Sequence, residues 1–206
     1  MIKEKDLIVT AKGISSVFSP FYVPLVTFTS LFLFSYLNML PLAYRLFVLA
    51  TIYAFTILLP RFTIYLYRKV NGWSSRQLGH REKRIVPYAI AFTSYVTCLI
   101  LMFQLNMPLY MCGIIEASLM AIIICSVVNI WWKISTHMAG IGGLTGALMA
   151  FSILFMFNPV WWLCLVLLAA GALGTSRIIL RQHTLAQVSV GFAVGFVCSV
   201  VGILFL

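Results

Sequence analysis

From Pro108 to Trp132 the chain reads PLYMCGIIEASLMAIIICSVVNIWW, an unbroken apolar run with one acidic and no basic side chain, Glu116 being the acid. At a rise of about 1.5 Å per residue, a helix of this length crosses the roughly 30 Å hydrocarbon core of a bilayer. Trp131 and Trp132 close the run, where amphipathic rings settle at a membrane–water boundary. Six further stretches have the same character: 21–39, 44–67, 87–105, 138–157, 159–175 and 184–206. Within the second, Pro60 and Arg61 predict a kink, or an early end and a continuation along the interface. Composition agrees with this reading. Hydrophobic residues make up 63% of the 206 and charged residues 9%, with a mean hydropathy of +1.07. A soluble domain carries about a quarter charged residues. The expected fold is therefore an all-α polytopic transmembrane bundle of about six to seven spans, a single integral membrane domain over residues 1–206.

The connections alternate in character. Leu40-Pro41-Leu42, Asn106-Met107 and Asn158 make tiny turns, whereas the N-terminal tail and segments 68–86, 133–137 and 176–183 are polar. Parity puts the four polar segments on one side of the membrane. They collect 12 of the 14 basic residues, all but Arg45 and Arg61, and all three histidines, His80, His137 and His183. The net charge of +10 thus concerns orientation and anionic lipid. No basic tract interleaved with aromatics lies outside the apolar runs, so no nucleic-acid partner is expected.

Several features carry no chemistry of their own. The five cysteines lie inside apolar runs without CxxC spacing and read as small hydrophobes. Lys3, Lys5 and Lys12 precede the first span as in a signal peptide, but that span lacks a small-residue cleavage site and is expected to be retained. Glu116 is expected to make an interhelical hydrogen bond, and His80 to be solvated. Ala139, Gly143 and Ala147 in the fifth span, with Gly191 and Gly195 in the seventh, have the spacing that lets helix backbones approach closely. The two spans beginning near His137 and His183 are thereby expected to touch.

Two short sequences on the polar side stand out. One is Lys133-Ile134-Ser135-Thr136-His137; the other runs from Ser176-Arg177 through Arg181 and His183 to Gln187. Each offers hydroxyl groups, a cation and a histidine, expected at the start of a transmembrane helix, where free N–H groups and the dipole favour anions. Lys133, Arg177 and Arg181 add charge for a multiply charged oxyanion. Two histidines beside one phosphate supply a nucleophile and a general acid.

The second sequence resembles the S-R-x5-H-x3-D motif of the type 2 phosphatidic acid phosphatase superfamily, with Ser176, Arg177 and His183 matching and Gln187 in place of the aspartate. The first resembles that family's P-S-G-H motif through Ser135 and His137, with Ile134 and Thr136 at the other two positions. The family's K-x6-R-P motif has only stand-ins, Lys133 and the loop Arg81-Glu82-Lys83-Arg84-Ile85-Val86-Pro87. The resemblance covers approximately residues 131–206. It implies a lipid phosphatase without metal or cofactor. His183 would attack phosphorus, His137 would protonate the leaving oxygen, and Arg177 would hold the phosphoryl group. Lys133, Ser135, Thr136, Ser176, Arg81 and Arg84 complete the expected phosphate-binding set, and Gln187 stands where the family's carboxylate supports the nucleophile.

The expected substrate is a phospholipid phosphate or polyprenyl (di)phosphate monoester. A lipid phosphotransferase and a catalytically silent lipid-binding protein are the alternatives on the same scaffold. An integral protein of a bacterial inner membrane is expected, its working face cytoplasmic by the basic bias.

Overall fold

The computed structural model describes residues 4–72 and 85–205, and within them the chain is helical, with no strand. Seven helical segments are long and apolar enough to cross a membrane. His80, Arg81 and Arg84 lie outside the described residues.

The tail expected to be merely polar begins as a helix, α1 (Glu4–Val17). Ala11 and Ser15, four apart, are its buried positions among the described residues, and Ile14 and Phe18 pack beside Leu173 and Met138. A 3-10 turn at Pro20–Tyr22 leads into α2 (Val23–Phe34), shorter than the expected 21–39 because Ser35 starts a second 3-10 turn by accepting from the Leu37 N–H at 3.2 Å.

The second span does not end at Pro60. α3 (Leu42–Tyr53) passes through a π-helical turn at Ala54–Leu58 into α4 (Leu59–Asn71), which stops at Gly72 in the left-handed conformation. The π spacing would give the Phe55 carbonyl the N–H of residue 60, and proline has none. Ser94 of α5 (Ile85–Gln104) donates its hydroxyl to that carbonyl at 2.5 Å. A buried orphan is thereby satisfied and the helix continues.

α6 (Leu109–Trp131), α7 (Thr136–Phe155), α8 (Val160–Ile179) and α9 (Leu185–Leu204) complete the bundle. α7 and α9 pack most closely of all. A Cβ built on Gly195 would strike the Ala139 carbonyl, and Cβ atoms on Gly142 and Gly146 would strike the carbonyls of Phe192 and Phe196. The fifth and seventh apolar runs thus touch as their small residues predict. Much of the contact on α7 runs along Gly142 and Gly146, one position off the expected Gly143 and Ala147.

Large side chains are unevenly distributed. Phe28, Leu31, Ile52, Met102, Met111 and Phe151 are all nearly or fully buried and fill the half of the bundle nearer the short turns. Aromatic pairs close that end: Phe34 stacks on Trp162 with centroids 4.1 Å apart, and Tyr110 meets Phe155 edge-on at 5.5 Å. Toward the polar segments alanines and glycines, Ala91, Ala121, Gly140 and Gly195 among them, share the interior with larger side chains such as Tyr88 and Tyr95. Trp131 and Trp161, 72% and 82% exposed, stand at opposite ends of helices about 30–35 Å long, as the two belts of a spanning bundle require.

Candidate active site

The segment before α7 lies across the first turn of α9. Ser135 N–H donates to the Gln187 carbonyl at 3.4 Å, and the Lys133 carbonyl stands 3.3 Å from His183 Nδ1. His183 immediately precedes the Thr184 N-cap and is 6% exposed. Thr184 and Gln187 form a reciprocal capping box: Gln187 N–H donates to Thr184 Oγ1 at 3.4 Å, and Thr184 N–H donates to Gln187 Oε1 at 3.2 Å.

That box determines the chemistry of the histidine. Only an oxygen can accept from the Thr184 N–H, so the Gln187 amide is oriented with Oε1 toward it. The same Oε1 stands 3.2 Å from His183 Nδ1. Nδ1 therefore faces two acceptors, a backbone carbonyl and an amide oxygen, and must carry the proton. In the neutral ring the lone pair is left on Nε2.

Ser176 and Arg177 are not at a helix start. α8 continues four residues past its expected end at 175, since nothing between Thr175 and Ile179 breaks a helix, and both residues fall in its last turn. The dipole there favours a cation. Arg177 is 6% exposed and donates from Nη1 to Ser15 Oγ on α1 at 2.6 Å. Ser176 turns its hydroxyl onto the Ala172 carbonyl of its own helix at 2.7 Å. The helix then ends in a Schellman arrangement, with Gln182 N–H on the Arg177 carbonyl (3.1 Å) and Arg181 N–H on that of Ile178 (2.8 Å). Arg181 occupies the left-handed position at φ 51°, where glycine is usual, and its side chain is exposed.

Ser135 caps α7 by position only. Its side chain is fully buried, and Oγ has no hydrogen-bond partner among the described residues. Thr136 and His137, in the first turn of α7, line a cavity of about 310 Å³ between α2, α5, α6, α7 and α9. The expected phosphate set is thus distributed. His183, Gln187 and the Lys133–Ser135 backbone come together, Arg177 meets Ser15, and Thr136 and His137 face the cavity.

Two contributors escaped the sequence reading. Ser15 had no motif around it. Arg61, assigned away from the polar segments, donates to the Tyr22 hydroxyl at 2.7 Å with its guanidinium 4.6 Å from that ring's centroid, beside the cavity-lining Pro20 and Phe21. Among the described residues no cluster of histidine, cysteine and carboxylate side chains could hold a metal ion.

Compared with protein-family models, with curated proteins and with solved structures, the chain matches none of them.

Proposed function

We propose that the protein is an integral membrane phosphatase that hydrolyses a lipid phosphate or diphosphate monoester through a phosphohistidine on His183. The supporting observation is the pair of oxygens on His183 Nδ1, which directs the ring's lone pair to Nε2. In this reading Nε2 attacks phosphorus, the bond from phosphorus to the lipid oxygen breaks, and His137 gives its proton to that oxygen. A water then loses a proton to His137 and takes phosphorus from Nε2, restoring both rings and releasing phosphate. Nδ1–H stays on Gln187 and Lys133 throughout, which stabilises the ring while it is positively charged. Arg177 compensates the phosphoryl oxygens, with the Ser15 hydroxyl placing its guanidinium.

The test is phosphate release by the purified protein in detergent, from phosphatidate, phosphatidylglycerol phosphate and polyprenyl diphosphate. His183→Ala is expected to remove turnover, and His137→Ala to lower it by roughly 10²–10⁴-fold. Release above a tenth of wild type from His183→Ala, or none from wild type on any substrate, overturns the reading. The same proposal places the protein in a bacterial inner membrane with the polar segments in the cytoplasm. A C-terminal reporter that fluoresces only in the cytoplasm is then expected to stay dark.

A further inference from the structure

The cavity beside His137 has an unusual wall. Its lining sets small residues, Ala91, Ala117, Ala121, Gly140, Gly143 and Gly195, among larger ones such as Phe21, Tyr95 and Ile122, where the other half of the bundle is filled by phenylalanine, methionine and leucine. Two hydroxyls on the wall are satisfied by their own helices: Thr27 donates to the Val23 carbonyl at 2.9 Å and Ser118 to that of Ile114 at 2.9 Å. Most of the remaining wall is apolar. Polar groups collect at one end, where Ser19, Thr136 and His137 meet. Along α6 the lining runs from Cys125 to Ile114, about 16 Å at 1.5 Å per residue, or half the hydrocarbon thickness.

We infer that this cavity holds the aliphatic chain of the lipid phosphate and accommodates one chain, not two; the inference rests on the phosphatase reading for the head group alone. A volume of about 310 Å³ takes about ten groups of roughly 30 Å³, the share of one water and close to that of one methylene. Two side-by-side chains of membrane length do not fit. Access is lateral. A shallow apolar groove between α5 and α6 shares Tyr88 and Ile122 with the cavity wall, so a chain can slide in from the bilayer while its head stays at the polar end.

The probe is dodecyl phosphate with a diazirine near the chain terminus, photolysed with the full-length protein in phosphatidylcholine nanodiscs. Adducts are expected on Ala117, Ser118 or Ser199. Unlabelled dodecyl phosphate should compete for them. Ala121→Trp fills the cavity and should lower adduct yield by at least about fivefold. Ile124→Trp, on the same helix but at an exposed position, should leave it unchanged. Adducts confined to Ile123, Val127 and Ile130 of the outer groove, no competition by unlabelled dodecyl phosphate, or full yield from Ala121→Trp each overturn the inference. Labelling needs no turnover. Adducts without phosphate release from any lipid leave the cavity assignment standing and overturn the phosphatase reading; phosphate release without these adducts does the reverse.

Discussion

Gln187 Oε1 stands 3.2 Å from His183 Nδ1 and 3.2 Å from the Thr184 backbone nitrogen, so one amide oxygen both caps α9 and orients the histidine. The resembling family has a carboxylate at this position. Gln187→Glu keeps the reach of the side chain and adds a charge. A nearby negative charge favours the imidazolium and raises the ring's affinity for protons. Since attack needs the neutral ring, the acid limb of the rate–pH profile is expected to move to higher pH. The phosphorylated ring is also a cation, so the maximal rate should rise. Gln187→Asp adds the charge one methylene short of the cap and should give a smaller gain. Gln187→Ala removes the reciprocal half of the capping box, leaving the Thr184 N–H and His183 Nδ1 without the amide oxygen while Thr184 Oγ1 still caps the helix, and should slow phosphate release at every pH. Steady-state release across a pH series checks all three; equal impairment of the Glu, Asp and Ala variants would show a site built on the neutral amide.

The bond from Arg177 to Ser15 joins the end of α8 to a helix that no motif marks. Hydrogen bonds to charged groups contribute about 1.5–3 kcal/mol. Ser15→Ala is expected to lower the melting temperature in detergent and to raise KM for a lipid phosphate. Ser15→Thr keeps the hydroxyl and should recover most of both. If Ala and Thr behave alike, the hydroxyl is not what places Arg177.

Ser94→Ala leaves the Phe55 carbonyl without a donor at a π turn that proline prevents from closing. An unsatisfied buried acceptor costs about 1–3 kcal/mol. The expected result is a clear thermal destabilisation, with Ser94→Thr intermediate because its methyl must fit where Ser94 is 1% exposed. Unchanged stability in Ser94→Ala would mean that water reaches that carbonyl.

Two glycines of spanning helices should respond oppositely to alanine. At Gly195 the new Cβ meets the Ala139 backbone, which cannot yield without separating α7 from α9. Gly195→Ala should therefore impair folding and shift the His183 segment against Lys133. At Gly171 nothing lies within 4 Å of an added Cβ, and Gly171→Ala should stabilise α8 by about 0.5–1 kcal/mol. Expression level and thermal unfolding of the pair check this; similar behaviour of the two would refute the close α7–α9 approach.

Ser135 offers a separate view of the site. Its hydroxyl is fully buried without a partner among the described residues, so Ser135→Ala should leave stability nearly unchanged or slightly higher. Any loss of phosphate release would then report contact with substrate in an opened state. An unaltered rate would remove Ser135 from the phosphate set.

Seven apolar runs, tiny turns alternating with polar segments, and glycine spacing in two of the runs were legible without coordinates. Each follows from a local rule. A bilayer demands about twenty apolar residues per helix, and close backbone approach demands small side chains. Gln187 could also be placed near His183 from sequence by its spacing of four, although His183 stands just before the helix and it is the capping box that turns the amide oxygen toward it. Tertiary structure alone decided the rest. Ser15 is ordinary in its own segment and acquires a role only where α1 packs on α8. Pro60 reads as a break until Ser94, on another helix, supplies the missing donor. The end of α8 moved past Arg177 because spanning length does not limit a helix that nothing interrupts. The cavity is the clearest case: the apolar residues lining it and those filling the core have the same hydropathy, and only packing shows where side-chain volume falls short of the space between helices.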